Sequence, residues 1–95
     1  MNEQEIAAMQ ERLRELHGEL ATLGPVMRGS VVKIGTKTKQ YYFSLNKDKK
    51  TVLLFLGKKR VDRAQEYSAN YKRLLDIIEE MTTINMKLLK AKVGL

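Results

Sequence analysis

The sequence predicts an α+β fold made of a helix, a three-stranded antiparallel β-meander and a long C-terminal helix. Three observations carry that reading. Apolar residues near both ends of the chain recur at alternating spacings of three and four, which is the period of an amphipathic helix. Short runs between residues 30 and 56 are rich in β-branched and aromatic residues and alternate with period two, as strands do. The only proline, Pro25, follows Gly24 at the junction, and the residue before a proline is disfavoured in helical conformation. Ninety-five residues fit one small domain spanning 1–95.

The first helix is expected over 2–23. Ile6, Met9, Leu13, Leu16, Leu20 and Leu23 form an a/d heptad stripe, with charged residues on the other faces. Asn2 is placed to cap the start, and Glu3 and Glu5 suit the positive end of the helix dipole. Fewer than three heptads do not make a stable solitary coiled coil, so this helix needs a partner in the same chain or in another.

The meander is expected over 30–56, with strands Ser30–Ile34, Gln40–Asn46 and Thr51–Leu56. Two short polar stretches, 35–39 and 47–50, separate them. The second connection sets Leu45 opposite Val52, Phe43 opposite Leu54, and Tyr42 opposite Phe55. One face is then Val32, Ile34, Tyr41, Phe43, Leu45, Val52, Leu54 and Leu56. The other is Val31, Lys33, Gln40, Tyr42, Ser44, Leu53 and Phe55. A slip of one residue exchanges faces.

The last helix is expected over 58–92. Tyr71, Leu74, Ile78, Met81, Asn85 and Leu88 repeat the three-four spacing, flanked by Leu75, Ile77, Ile84 and Leu89. Such a broad stripe touches more than one neighbour. Asn85 either fixes register as a buried amide or faces a solvated edge. At ~1.5 Å per residue this helix is roughly 50 Å long and overshoots the first one. A coiled-coil-like homodimer follows as an expectation, its interface drawn from Leu13, Leu16, Leu20, Leu74, Ile78, Met81, Asn85 and Leu88.

Charge is distributed unevenly. Eleven of the eighteen Lys and Arg residues lie from Arg28 to Arg63, with only Asp48 and Asp62 among them, so that stretch carries +9, against a formal +7 for the whole chain. Residues 1–27 carry −3 and residues 64–95 carry +1. A concentrated cationic field is a statement about partners rather than fold. In a meander the 35–39 loop and the end of the third strand share one end of the sheet, which gathers Lys37, Lys39, Lys58, Lys59 and Arg60. Arg28, Lys33 and Arg63 complete the expected phosphate-contacting set. Lysine predominates, which favours point-charge contacts to backbone over bidentate base readout. Lysine in turns also serves solvation and edge protection.

Other chemistries find little support. The chain has no cysteine, which removes disulfides and thiolate metal sites. His17 is the single histidine, without a nucleophile or metal-ligand partner at a diagnostic spacing. Glu11, Glu15 and Glu19 recur every fourth residue, as on a solvated helix face. No glycine-rich phosphate loop is present, although backbone N–H groups near Lys58 and Lys59 suit one phosphate. No catalytic residue, metal or cofactor is expected. No apolar run approaches the ~20 residues of a membrane helix, so no membrane partner is expected and a cytoplasmic location is.

Tyr41-Tyr42-Phe43 interleaves aromatics with the lysines. Tyr41 and Phe43 read as core. Tyr42 shares a strongly apolar face, expected to be covered by a helix or a second subunit rather than by stacked bases.

The chain also carries short motifs: Met-Arg-Gly-Ser-Val-Val at 27–32, Gln-Tyr-Tyr-Phe-Ser-Leu at 40–45, Tyr-Ser-Ala-Asn-Tyr-Lys-Arg-Leu-Leu at 67–75 and Ile-Asn-Met-Lys-Leu-Leu at 84–89. Through them residues 28–90 resemble a family of small bacterial and archaeal domains of unknown function, often encoded near transposases. Many members carry a cysteine cluster between the first two strands. Here that interval is Gly35-Thr-Lys-Thr-Lys39, so no metal role carries over. The resemblance implies a link to mobile elements and hence to nucleic acid, and no established activity.

The expected function is therefore a small non-enzymatic nucleic-acid-binding accessory protein, contacting DNA or RNA through its lysine-rich strand–loop segment. It is expected to be a homodimer and a component of a larger assembly. The alternative is a helical protein–protein interaction adaptor whose lysines only confer solubility.

Overall fold

The computed structural model describes residues 1–93. The element order is α1 (Glu3–Thr22), β1 (Ser30–Ile34), β2 (Gln40–Lys47), β3 (Lys50–Phe55) and α2 (Val61–Lys90), the α+β arrangement expected. The chain forms two compact units, one of residues 1–23 with those from 73 onward, the other of residues 24–72. No helix among the described residues is long and apolar enough to cross a membrane.

The first unit is an antiparallel helical hairpin. The Asn2 side-chain oxygen accepts from the Glu5 N–H at 2.8 Å, satisfying one of the donors that a helix start leaves free. Leu16 and Ile77 are wholly buried, joined by Ile84 and Leu88, with Ile6, Met9, Leu13, Leu20 and Met81 packed around them. The direction follows from the ion pairs: Arg12 meets Glu80, and Arg73 meets Glu19. The α1 stripe is thus spent within one chain. Of the residues expected at a subunit interface, Leu16 and Leu88 are buried in this hairpin, and Leu13, Leu20 and Met81 pack beside them. Leu74 is half-buried, whereas Ile78 and Asn85 are exposed.

The Arg12 guanidinium holds Glu80 by two hydrogen bonds, of 2.7 and 3.0 Å. These lower the Glu80 carboxyl below its ordinary value; desolvation opposes the shift, and the charges of Arg12 and Arg73 add to it. A carboxylate whose pKa is lowered by folding contributes stability above the unfolded value, and loses it as pH falls through the folded one. Glu80→Gln is therefore expected to flatten the loss of melting temperature below pH 4.5, the ordinary value for this carboxyl, in a thermal-melt series. Both side chains are about two-fifths exposed, so the change is small.

The second unit is the meander with residues 61–72 of α2. The strand order is β1-β2-β3, antiparallel throughout. The β2–β3 register matches expectation: Leu45 faces Val52, Phe43 faces Leu54 and Tyr42 faces Phe55. Asp48 and Lys49, both at positive φ, form a two-residue turn of the type that matches strand twist.

The faces of β1 differ from expectation. Val31 lies opposite Phe43 and Val32 opposite Tyr42, so Val31 and Lys33 share the Tyr41–Phe43 face, while Val32 and Ile34 share that of Tyr42. The cause is the parity of the connection. Five residues separate Ile34 from its partner Gln40, which places residues of equal parity across from each other. Gly35, at φ 144°, holds that loop tight: a Cβ there would meet the Thr38 carbonyl oxygen at 2.3 Å.

The β1–β2 part of the inner face is the core of this unit, while Val52 and Leu54 on the same face stay 46% and 51% exposed. Phe43, Leu56 and Ala64 are buried, with Met27, Val31, Tyr41, Leu45 and Val61 packed on them. Three hydrogen bonds dock the segment before β1 onto α2: Met27 N–H to the Tyr67 carbonyl at 3.1 Å, Ser68 hydroxyl to the Gly29 carbonyl at 2.7 Å, and Asn70 amide to the Pro25 carbonyl at 2.9 Å.

All six β3 residues are exposed, and β3 has no neighbour beyond β2. Its Leu56 end bonds to the Tyr41 carbonyl at 2.9 Å. By antiparallel alternation, Leu54 and Val52 also bond to β2, and the N–H groups of Thr51, Leu53 and Phe55 point off the sheet.

Candidate nucleic-acid interface

The fold of the second unit brings five expected contact residues to one end. Lys37 and Lys39 are exposed in the 35–39 loop, and Lys58 and Lys59 are exposed in the turn that runs from Gly57 to Arg60. The bond from Leu56 to Tyr41 fixes this turn next to the residues that follow the loop. Lys33 joins them from the inner face, its Nζ 5.1 Å from the centroid of the Tyr41 ring, within cation–π range. Tyr41 and Lys58 line a shallow depression with Val61 and Asp62. Lys33 and Lys58 are thus both neighbours of Tyr41.

The remaining three are placed differently. Arg60 donates from Nε to the Leu56 carbonyl at 2.9 Å. With Arg63 it lines an apolar groove formed by Met27, Leu54, Leu56, Ala64 and Tyr67. Arg60 closes the turn and Arg63 lies in the first turn of α2, which begins at Val61 rather than at residue 58, because Gly57–Arg60 are used in the turn. Arg28 donates from Nη1 to the Asn46 carbonyl at 2.9 Å, which puts it at the opposite end of the sheet, near the Lys47–Lys50 turn. Lys47, Lys49 and Lys50 are exposed there and belong to a second cationic end that the expected contact set omits. Turn geometry, readable from the polar run 47–50, was the signal for it.

The electrostatics separate the two units. Among the described residues, the ion pairs are Arg12–Glu15, Arg12–Glu80, Arg14–Glu11 and Arg73–Glu19, all in the helical hairpin. No cation between Arg28 and Arg63 is in an ion pair with a described residue. An anion can therefore meet those charges without displacing a described carboxylate, although Arg28 and Arg60 are engaged by backbone carbonyls and Lys33 by the Tyr41 ring.

The outer face of the sheet is also open. Ile34, Leu53 and Phe55 are 43%, 48% and 44% exposed within the single chain, so of the two covers expected for the Tyr42 face, a helix of the same chain is not the one found among the described residues. Tyr42 and Phe55 lie with ring centroids 5.6 Å apart at 36°.

No family model, no curated protein and no solved structure matches the chain.

Proposed function

We propose that this protein is a small, non-enzymatic nucleic-acid-binding accessory protein that holds phosphates on Lys33, Lys37, Lys39, Lys58 and Lys59. The observation that carries this reading is the gathering of unpaired cations at one end of a sheet, in a segment with net charge +9. Charges mounted on strand ends and a helix start position a phosphate backbone without reading its sequence. The resemblance of residues 28–90 to domains encoded near transposases points the same way and adds association with a mobile element, in the cytoplasm. Binding of labelled DNA and RNA across a salt titration tests it. Five phosphate contacts give a slope of log affinity against log salt of about −4 to −5 on duplex DNA. Absent or salt-independent binding removes the proposal.

One observation favours a pairing role as well. With the inner stripe spent in the hairpin, α2 still presents Leu75, Ile78 and Leu89 at 46%, 46% and 61% exposure. With Thr82 and Asn85 these continue a three-four-three-four heptad on a second line. A homodimer through this line is the assembly we propose, and a protein adaptor is the function it leaves if nucleic acid does not bind. Ile78→Lys is expected to shift a dimer to monomer in sedimentation equilibrium without lowering the melting temperature. A wild-type chain that is monomeric at high concentration refutes the pairing.

A further inference from the structure

The outer face of the sheet is composed unlike the rest of the basic segment. Its positions are Ser30, Val32 and Ile34 on β1, Gln40, Tyr42, Ser44 and Asn46 on β2, and Thr51, Leu53 and Phe55 on β3, by the observed register. None of these carries a charge. Cations border the face at both ends, with Lys37, Lys39, Lys58 and Lys59 beside the 35–39 loop and Lys47, Lys49 and Lys50 at the opposite turn. The middle holds two aromatic rings, one half-buried and one 44% exposed, with aliphatic side chains around them. A contiguous apolar face of this kind on a soluble protein marks a site of interaction.

The occupant is constrained by the combination. An anionic partner is needed at both ends, and a flat apolar or π-surfaced partner is needed between them. A double helix offers phosphates but keeps its base faces stacked inside. An acidic peptide offers charge but no flat faces. A second copy of this sheet brings the same lysines against lysines. A single-stranded nucleic acid has both parts, phosphates along its backbone and bases free to splay onto rings. Strands of five to eight residues span roughly 17–27 Å, room for two or three bases.

We propose that the outer face, centred on Tyr42 and Phe55, is a stacking platform for unpaired bases, making single-stranded nucleic acid the ligand class of this protein. This deepens the nucleic-acid reading given above and rests on it. Tyr42 and Phe55 hold bases, while the lysines at the two ends hold the flanking phosphates. Ser44, Gln40 and Asn46 supply neutral hydrogen-bonding groups on the same face, and Asn46 already accepts from the Thr51 hydroxyl at 3.1 Å.

Fluorescence anisotropy with three labelled probes tests the proposal: a twelve-residue oligothymidylate, an abasic strand of the same length, and a twelve-base-pair duplex. The wild-type chain is expected to bind oligothymidylate at least about tenfold more tightly than the abasic strand, which has the same phosphates and no bases, given the worth of base–aromatic stacking. Tyr42→Leu with Phe55→Leu, which keeps apolar bulk and removes both rings, is expected to erase that difference. It should leave the salt slope and duplex affinity unchanged. Equal wild-type affinity for the abasic strand and oligothymidylate overturns the platform while leaving the phosphate reading intact, and this measurement needs no variant to fold. Binding to none of the probes removes both readings. A concentration-dependent dimer that the double variant abolishes assigns the face to a second copy and overturns the platform.

Discussion

Replacing Lys37, Lys39, Lys58 and Lys59 together by glutamine is expected to lower affinity for duplex DNA roughly a thousandfold at about 0.1 M salt, with the loss vanishing toward 1 M. Each neutralised phosphate contact removes about 0.9 from the slope of log affinity against log salt, so four remove between three and four units. The salt dependence of the loss is the diagnostic part. A variant that had merely unfolded would lose affinity at every salt concentration. All four lysines are exposed, so the melting temperature should stay within a degree or two of wild type. Lys87, Lys90 and Lys92, on and after the last turn of α2, supply the control. Changing these to glutamine also lowers net charge but removes no contact, so the slope should hold. Equal slopes in both variants would mean that diffuse net charge, rather than the sheet end, attracts the ligand.

Gly29→Ala is expected to destabilise the fold by about 3–5 kcal/mol, combining backbone strain with overpacking. Gly29 sits at φ 152°, and a Cβ there would come within 2.4 Å of the Ser44 carbonyl oxygen and 2.8 Å of two Phe43 ring atoms. Neither neighbour can retreat. Ser44 is held in register opposite Ser30, and Phe43 is 3% exposed at the centre of the core. The Gly29 carbonyl is also the acceptor for Ser68. Domains of this size have about 5–14 kcal/mol to lose, so a chemical denaturation curve should shift strongly or disappear. Gly18→Ala provides contrast in the same assay. Gly18 lies inside α1 with nothing within 4 Å of an added Cβ, and alanine there should stabilise by roughly 0.5–1 kcal/mol through helix propensity.

Much of the architecture was legible because local signals agreed with each other. Asn2 before an acidic first turn gave the start of α1, and Gly24-Pro25 gave its end. The β2–β3 register followed from a short polar turn between two apolar runs. What escaped was set by connection parity and by competition. Nothing in Gly35-Thr-Lys-Thr-Lys39 states whether five or four residues lie outside the ladder, and that single residue decided which way Val31 and Val32 point. Likewise, a heptad stripe says that a helix needs a partner but not whose. Leu16 found Ile77 in its own chain, leaving Ile78 rather than Leu88 on the outside. The candidate site was partly readable: lysines at the 35–39 loop and after β3 share an end as the meander topology requires. Arg28 could not be placed, because its hydrogen bond to the Asn46 carbonyl depends on how the segment before β1 folds back. The openness of the outer face was the least readable feature, since a strand sequence does not record what fails to cover it.

The unpaired edge of β3 bears on how the protein behaves in a tube. Thr51, Leu53 and Phe55 point their N–H groups into solvent along a stretch, Thr51–Phe55, that contains no charge and no proline. Such an edge is a template for strand-to-strand growth. The lysine-rich turns at either end then act as a colloidal guard, keeping like-charged molecules apart in dilute buffer. Screening shortens to about 3 Å at 1 M salt, and the guard fails there. Storage in high salt should therefore shorten the working life of concentrated stocks, whereas low salt preserves them. Leu53→Lys, which places a charge in mid-edge, should remove that dependence.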